Sequence, residues 1–238
     1  MKNTIDRMKK NGNNKFSLSY HLSRSTLKHT KPKKFIQYIK TILNGTINET
    51  TSKDTASTNI TFNGYKMESL NDLLKSKNRM LSYRHLLLLY LQIGEQLKLL
   101  IRDNICILQP QISDIVVIHV DENMYKSKFV LKNINNFYSI VKKNNESMVE
   151  IYKPYDKNYL FISPELFSNN VLPMYTSPNT VYYSLALLIA YCLKSYSTPL
   201  RDKKTFTTHV ESIKETKLYW GILRCIEMDP NDRYYLYI

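Results

Sequence analysis

Apolar and polar positions along this chain repeat with two different periods, and the changes of period mark its elements. Residues 35–43 place Phe35, Ile36, Ile39, Ile42 and Leu43 on one face of a helix, with Gly45 as the stop. Residues 48–59 are almost wholly polar and read as a linker or exposed loop. Residues 59–67 alternate weakly around Asn63-Gly64, which suggests a strand or small hairpin. Ser69 is a good N-cap for a short helix, and Ser82 for a long one over 83–103. The long helix is apolar almost all round in its first half, so it is expected in the core. Residues 114–120 and 128–133 are β-rich on either side of a turn, a predicted hairpin, and 137–141 continue in the same vein. Residues 159–166 run from an extended stretch into a turn at Pro164. Residues 180–196 predict a helix apolar on every face. Its wholly apolar part is about 13 residues, short of the roughly 20 needed to cross a membrane. Residues 209–230 give one or two amphipathic helices closed by Pro230, with Trp220 expected to pack inward. Before residue 30 no period is sustained, and a loosely ordered segment is expected.

Composition changes this picture in two places. Of 238 residues, 43% are hydrophobic, enough for one good-sized core, and only 5 are glycine. The formal net charge is +14, concentrated at the front: residues 1–40 hold eleven Lys or Arg against one acid, Asp6. The densest run contains Lys28, Lys31, Lys33 and Lys34. These are the candidate anion-binding residues, toward nucleic acid or an anionic surface; a solvated, solubilising tail is the plainer reading. Cys106, Cys192 and Cys225 have no metal-ligand spacing and read as buried free thiols in a reducing compartment. With no apolar leader at the N-terminus, an intracellular, non-secreted protein is expected. His85, His119 and His209 have no ligand spacing either and are expected to be ordinary, partly exposed histidines.

The order of these pieces resembles the C-terminal lobe of the protein kinase family. Residues 69–74, "SLNDLL", look like the short helix after the kinase hinge, and the 83–103 helix like the one before the catalytic loop. "ISPEL" at 162–166 is similar to the Ala-Pro-Glu that ends the activation segment. "VYYSLALLIAYCL" is similar to the family's central helix, and "LRCIEMDPNDR" to its closing Asp-Pro-x-x-Arg signature. The resemblance covers about residues 65–238 and implies that Glu165 pairs with Arg233. The charges themselves point the same way, because a carboxylate and a guanidinium in such apolar settings need partners.

Phosphoryl transfer needs a loop over the phosphates, a lysine, metal-binding Asp and Asn residues, and a catalytic Asp. No glycine-rich loop and no nucleotide lysine are found. The resemblance puts residues 107–114, "ILQPQISD", at the catalytic loop. Gln109 then stands for the catalytic Asp, Gln111 for the loop Lys and Asp114 for the metal-binding Asn. A neutral amide cannot deprotonate a hydroxyl. The metal-binding Asp of the next loop falls near residues 131–135, where Lys132 would repel a divalent cation. The Asp that starts the central helix and holds the catalytic loop is Val181. A rival register on His119-Val120-Asp121 would place Lys126 at the metal-binding Asn and break the hairpin.

The expected fold is therefore α+β and mostly helical: a kinase-like C-terminal lobe with a truncated or absent N-terminal lobe. Residues 1–60 form a basic, partly disordered segment with one short helix, and 61–238 the lobe. The expected function is a catalytically inactive pseudokinase, a scaffold or decoy for a protein partner, with no cofactor, no metal and no transmembrane segment. A divergent active serine/threonine kinase and a basic nucleic-acid or membrane-surface binder remain the alternatives. The AT-biased, stripped-down chain resembles accessory proteins of large DNA viruses; a small eukaryotic parasite fits as well.

Overall fold

The structure is a computed structural model that describes residues 9–10, 14–23, 32–51, 55–122, 126–133, 137–169 and 171–238. Its first part is a sheet. Strands β1 (Lys9–Lys10), β2 (Lys15–Ser23), β3 (Thr46–Thr51) and β4 (Thr55–Asn63) pair antiparallel in the order β1-β2-β4-β3. Helix α1 (Lys33–Leu43) packs on it through Phe35, Ile36, Ile39 and Leu43, facing Phe16, Leu18 and Tyr20 of β2 and Ile60 and Phe62 of β4. These are alternate residues on each strand, as one buried sheet face requires.

Two expectations are corrected here. Residues 48–51 and 55–59 are not a linker; they belong to strands β3 and β4. Their threonines are β-branched and suit a pleated surface, and Thr58 is buried in it. Residues 15–23 are a strand rather than a loose tail. The polar half of each strand hid the buried half.

The chain then turns at Gly64-Tyr65 into β5 (Lys66–Ser69), helix α2 (Leu70–Ser76) and helix α3 (Tyr83–Arg102). Ser69 and Ser82 cap the two helices with their hydroxyls. Strands β7 (Ile115–His119) and β8 (Ser127–Leu131) form the expected hairpin, and β5 adds to β7 to make a three-stranded sheet. Between α3 and β7 lies the short β6 (Ile105–Cys106). It pairs with β9 (Tyr138–Lys143), which continues through β10 (Glu146–Ile151) to β11 (Met174–Thr176) in a third sheet. After α4 (Pro164–Ser168) come α5 (Thr180–Leu193), α6 (Lys203–His209) and α7 (Lys217–Cys225). Helix α5 is buried along nearly its whole length, as its apolar sequence demands.

The fold is thus α+β with strands in three small antiparallel sheets, and the mostly helical expectation is overturned. Where a truncated or absent N-terminal lobe was expected, the described residues before 64 form a four-stranded sheet with α1 packed on it. Among the described residues no helix is long and apolar enough to cross a membrane.

The first sheet and α1 share one hydrophobic core with the rest, and side-chain hydrogen bonds add to it. Tyr20 donates its hydroxyl to the Leu131 carbonyl of β8 (2.8 Å), and Lys128 donates to the Ile42 carbonyl of α1. Pro32 at the head of α1 offers no capping side chain. Asp103, just beyond α3, supplies one instead, accepting from the backbone N–H groups of Lys34 (2.9 Å) and Phe35 (3.3 Å). A carboxylate there also complements the helix dipole. Strand β8 is an edge, and two glutamines of α3 stand in for the missing neighbour. Gln92 Oε1 accepts from the Phe129 N–H (2.6 Å). The fully buried Gln96 accepts from the Leu131 N–H and donates to the Phe129 carbonyl, both at 2.8 Å.

Candidate functional site

The candidate site is the loop of residues 107–114 between β6 and β7. Its backbone is held from α5, where Ser184 Oγ donates to the Leu108 carbonyl (3.0 Å); just before the loop, the Cys106 thiol donates to the carbonyl of Pro178, ahead of α5 (3.4 Å). Val181, which the resemblance put at the anchoring position, is plain core. The anchor sits one turn further along, at Ser184. Its signal was present, as the one small polar residue in the apolar stretch 181–193.

Inside the loop, Asp114 is buried and fully engaged. Its Oδ2 accepts from the Gln111 N–H (3.0 Å), and its Oδ1 from Asn133 Nδ2 (3.0 Å). Its backbone carbonyl accepts from the N–H of Lys132 (2.7 Å). Burial pushes the Asp114 carboxyl pKa up; the Gln111 and Asn133 hydrogen bonds and the charge of Lys132 pull it back in part. The carboxylate thus shapes a turn, with a lysine as its electrostatic neighbour.

Gln109 and Gln111 share a cavity with Phe137, Tyr138, Tyr152 and Tyr155. Gln111 is exposed, whereas Gln109 points its Nε2 into a buried position where no protein acceptor meets it.

The tie between Glu165 and Arg233 lies beside Tyr183 of α5. Arg233 is 1% exposed. Its Nη1 and Nη2 donate to the two carboxylate oxygens of Glu165 at 2.6 and 2.9 Å. Its Nε donates to the Glu227 carbonyl and its Nη2 also to that of Met228, while the Tyr183 ring lies 4.8 Å from the guanidinium carbon. The forked, planar guanidinium meets a planar carboxylate, an arrangement lysine cannot copy. Asp229 caps the turn that delivers Arg233 by accepting from the Asn231 N–H (2.8 Å).

Compared with models of known protein families the chain matches none, and a search of curated proteins gave no significant match. The site's own geometry therefore carries the functional argument.

The remaining sequence-predicted residues are placed as follows. Lys33 and Lys34 are exposed at the head of α1, while Lys28 and Lys31 lie outside the described residues. Cys106, Cys192 and Cys225 are free and buried, and burial raises all three thiol pKa values, that of Cys225 to about 12. Among the described residues no group of three or more His, Cys, Asp or Glu side chains is placed to hold a metal. Two readings are corrected. Trp220 is 56% exposed, because the core face of α7 is taken by Leu218, Tyr219 and Ile222. His119 is fully buried in β7, not partly exposed. It is hydrogen bonded through Nδ1 to Ser127 Oγ (2.9 Å) and through Nε2 to Glu68 Oε1 (2.8 Å), partners contributed by the strands on either side.

Proposed function

We propose that this chain is a degenerate member of the protein kinase-like superfamily that does not transfer phosphate and serves as a scaffold or decoy for a protein partner. One observation carries the proposal. The loop between β6 and β7 has a neutral Gln109 where the resemblance calls for a carboxylate. Its remaining carboxylate, Asp114, is consumed by hydrogen bonds to Gln111 and Asn133. The kinase reaction uses a carboxylate within reach of the hydroxyl proton; Gln109 is neutral, and the Asp114 carboxylate is tied into the turn. The bidentate Glu165–Arg233 pair supports retention of the architecture around that loop. An intracellular setting belongs to the same proposal, and the three free, buried thiols support it.

The test is affinity capture with the full chain from cell extract, followed by binding of the re-purified partner at physiological salt. A protein retained in stoichiometric amount is the expected result. Capture of nucleic acid or anionic lipid alone, released by salt, would favour a basic surface binder and refute the scaffold reading.

A further inference from the structure

The cavity beside Gln109 has a volume of about 400 Å³, within the usual range for small-molecule sites. It opens to solvent between the loop of residues 107–114 and the start of β9. Four of its lining residues are aromatic: Phe137, Tyr138, Tyr152 and Tyr155. The Tyr138 and Tyr155 rings are tilted against each other with centroids 6.3 Å apart. Two polar atoms of the lining side chains are buried: the Tyr155 hydroxyl has Tyr138 as its neighbour, while Gln109 Nε2 meets no partner among the described residues. Buried polar atoms are satisfied in the great majority of cases, so the unpartnered Gln109 amide calls for a ligand or solvent to complete it. Among the described lining residues the one formal charge is the Lys153 ammonium, and there is no carboxylate.

We propose that this cavity binds a small planar aromatic anion: a ring with a hydrogen-bond acceptor at one end and a carboxylate at the other. The ring lies among the tyrosines, where stacked and edge-on contacts favour a π-system over a saturated ring of equal size. The acceptor completes the Gln109 amide, and the carboxylate faces Lys153. A cationic ligand, which an aromatic cage alone would welcome, is disfavoured because the one charge among the described lining residues is positive. The inference stands on the cavity and not on the kinase-like reading, so either can fail alone.

The probe is 4-hydroxybenzoate, titrated into the full chain and followed by backbone amide NMR shifts. Cyclohexanecarboxylate and benzyltrimethylammonium serve as comparison ligands. Saturable shifts at Gln109, Tyr138 and Tyr155, with weaker binding of both comparison ligands, are expected. Gln109→Leu, which fills a similar volume without the amide, should weaken binding roughly tenfold, the worth of one hydrogen bond. Lys153→Gln, an exposed change that leaves folding intact, should weaken it about threefold and flatten its salt dependence. No saturable shift up to about 20 mM would mean that solvent alone fills the cavity, since weaker binding has no specific content. That result, equal affinity in both variants, or preference for the quaternary ammonium would overturn the proposal.

Discussion

The ring of Tyr235 occupies the space that a side chain at Gly94 would fill. A β-carbon added at position 94 would fall well inside van der Waals contact of three ring atoms. The last residues of the chain run across α3 here. Tyr235 donates its hydroxyl to the Leu91 carbonyl (2.8 Å), and Tyr90 donates to the Leu236 carbonyl (2.9 Å). Gly94→Ala sets two effects against each other. Alanine gains about 1 kcal/mol of helix propensity, while overpacking costs roughly 1–3 kcal/mol. The ring is pinned at its hydroxyl, so the clash is expected to win, with a net loss of up to about 2 kcal/mol in urea unfolding. In the Tyr235→Ala background the same change should be neutral or stabilising. Additivity of the two would show that the ring does not rest on Gly94.

The Glu165–Arg233 pair predicts an order of variants. Glu165→Ala leaves Arg233 charged, buried and half satisfied, at a cost of about 3–5 kcal/mol. Glu165 is partly exposed, which places the loss toward the lower end. Glu165→Gln keeps one acceptor and should cost less. Arg233→Lys gives up the fork and at least one of the four hydrogen bonds, and should be nearly as damaging as Glu165→Ala. Equal stability of Arg233→Lys and the parent chain in urea unfolding would contradict this account.

Gln96 gives a sharper test of how β8 is held. Gln96→Leu matches the volume but leaves the Leu131 N–H and the Phe129 carbonyl without partners. A loss of about 2–6 kcal/mol follows, from roughly 1–3 kcal/mol per unsatisfied buried group. Gln96→Glu should be worse at neutral pH, since it buries a charge and removes the donor. Amide hydrogen exchange at Leu131 should accelerate in both variants ahead of exchange elsewhere.

Asp114 makes a prediction in pH. Burial raises its pKa in the folded chain, so between the unfolded and folded values the native state holds the extra proton. Its contribution to stability is therefore most favourable below the carboxylate range and falls as pH rises through it. Exposed Asp202 and Glu150, whose pKa values hydrogen bonds from Thr205 and from Tyr152 and Tyr175 hold down, slope the other way. The difference between the parent chain and Asp114→Asn isolates the one group. The parent should lose ground to the variant as pH rises from about 4 and then run parallel to it. The opposite slope would mean that the hydrogen bonds from Gln111 and Asn133 outweigh burial.

What the sequence revealed follows from where its signals are local. The caps at Ser69 and Ser82, the β7–β8 hairpin and the all-apolar α5 depend on neighbours in the chain, and their positions were legible. The β3–β4 hairpin was misread because threonine and asparagine alternate there without strong apolar partners; only packing of α1 on the sheet makes the pattern matter. Trp220 was misassigned because helical spacing does not say which side a helix turns to the core. The cap of α1 by Asp103, the glutamine ladder on β8 and the Ser184 anchor each join residues more than 30 positions apart. No local period encodes such ties. Their only trace is a polar residue set in an apolar run, which marks a partner without naming it.

The central claim, that the loop carrying Gln109 and Asp114 does no phosphoryl transfer, is tested most directly by a labelled-phosphate assay. The full chain would be incubated with γ-labelled ATP and magnesium or manganese, with mixed protein and peptide acceptors. The expected result is incorporation no higher than that of Asp114→Asn. Metal-dependent transfer that is lost in Asp114→Asn would contradict the account.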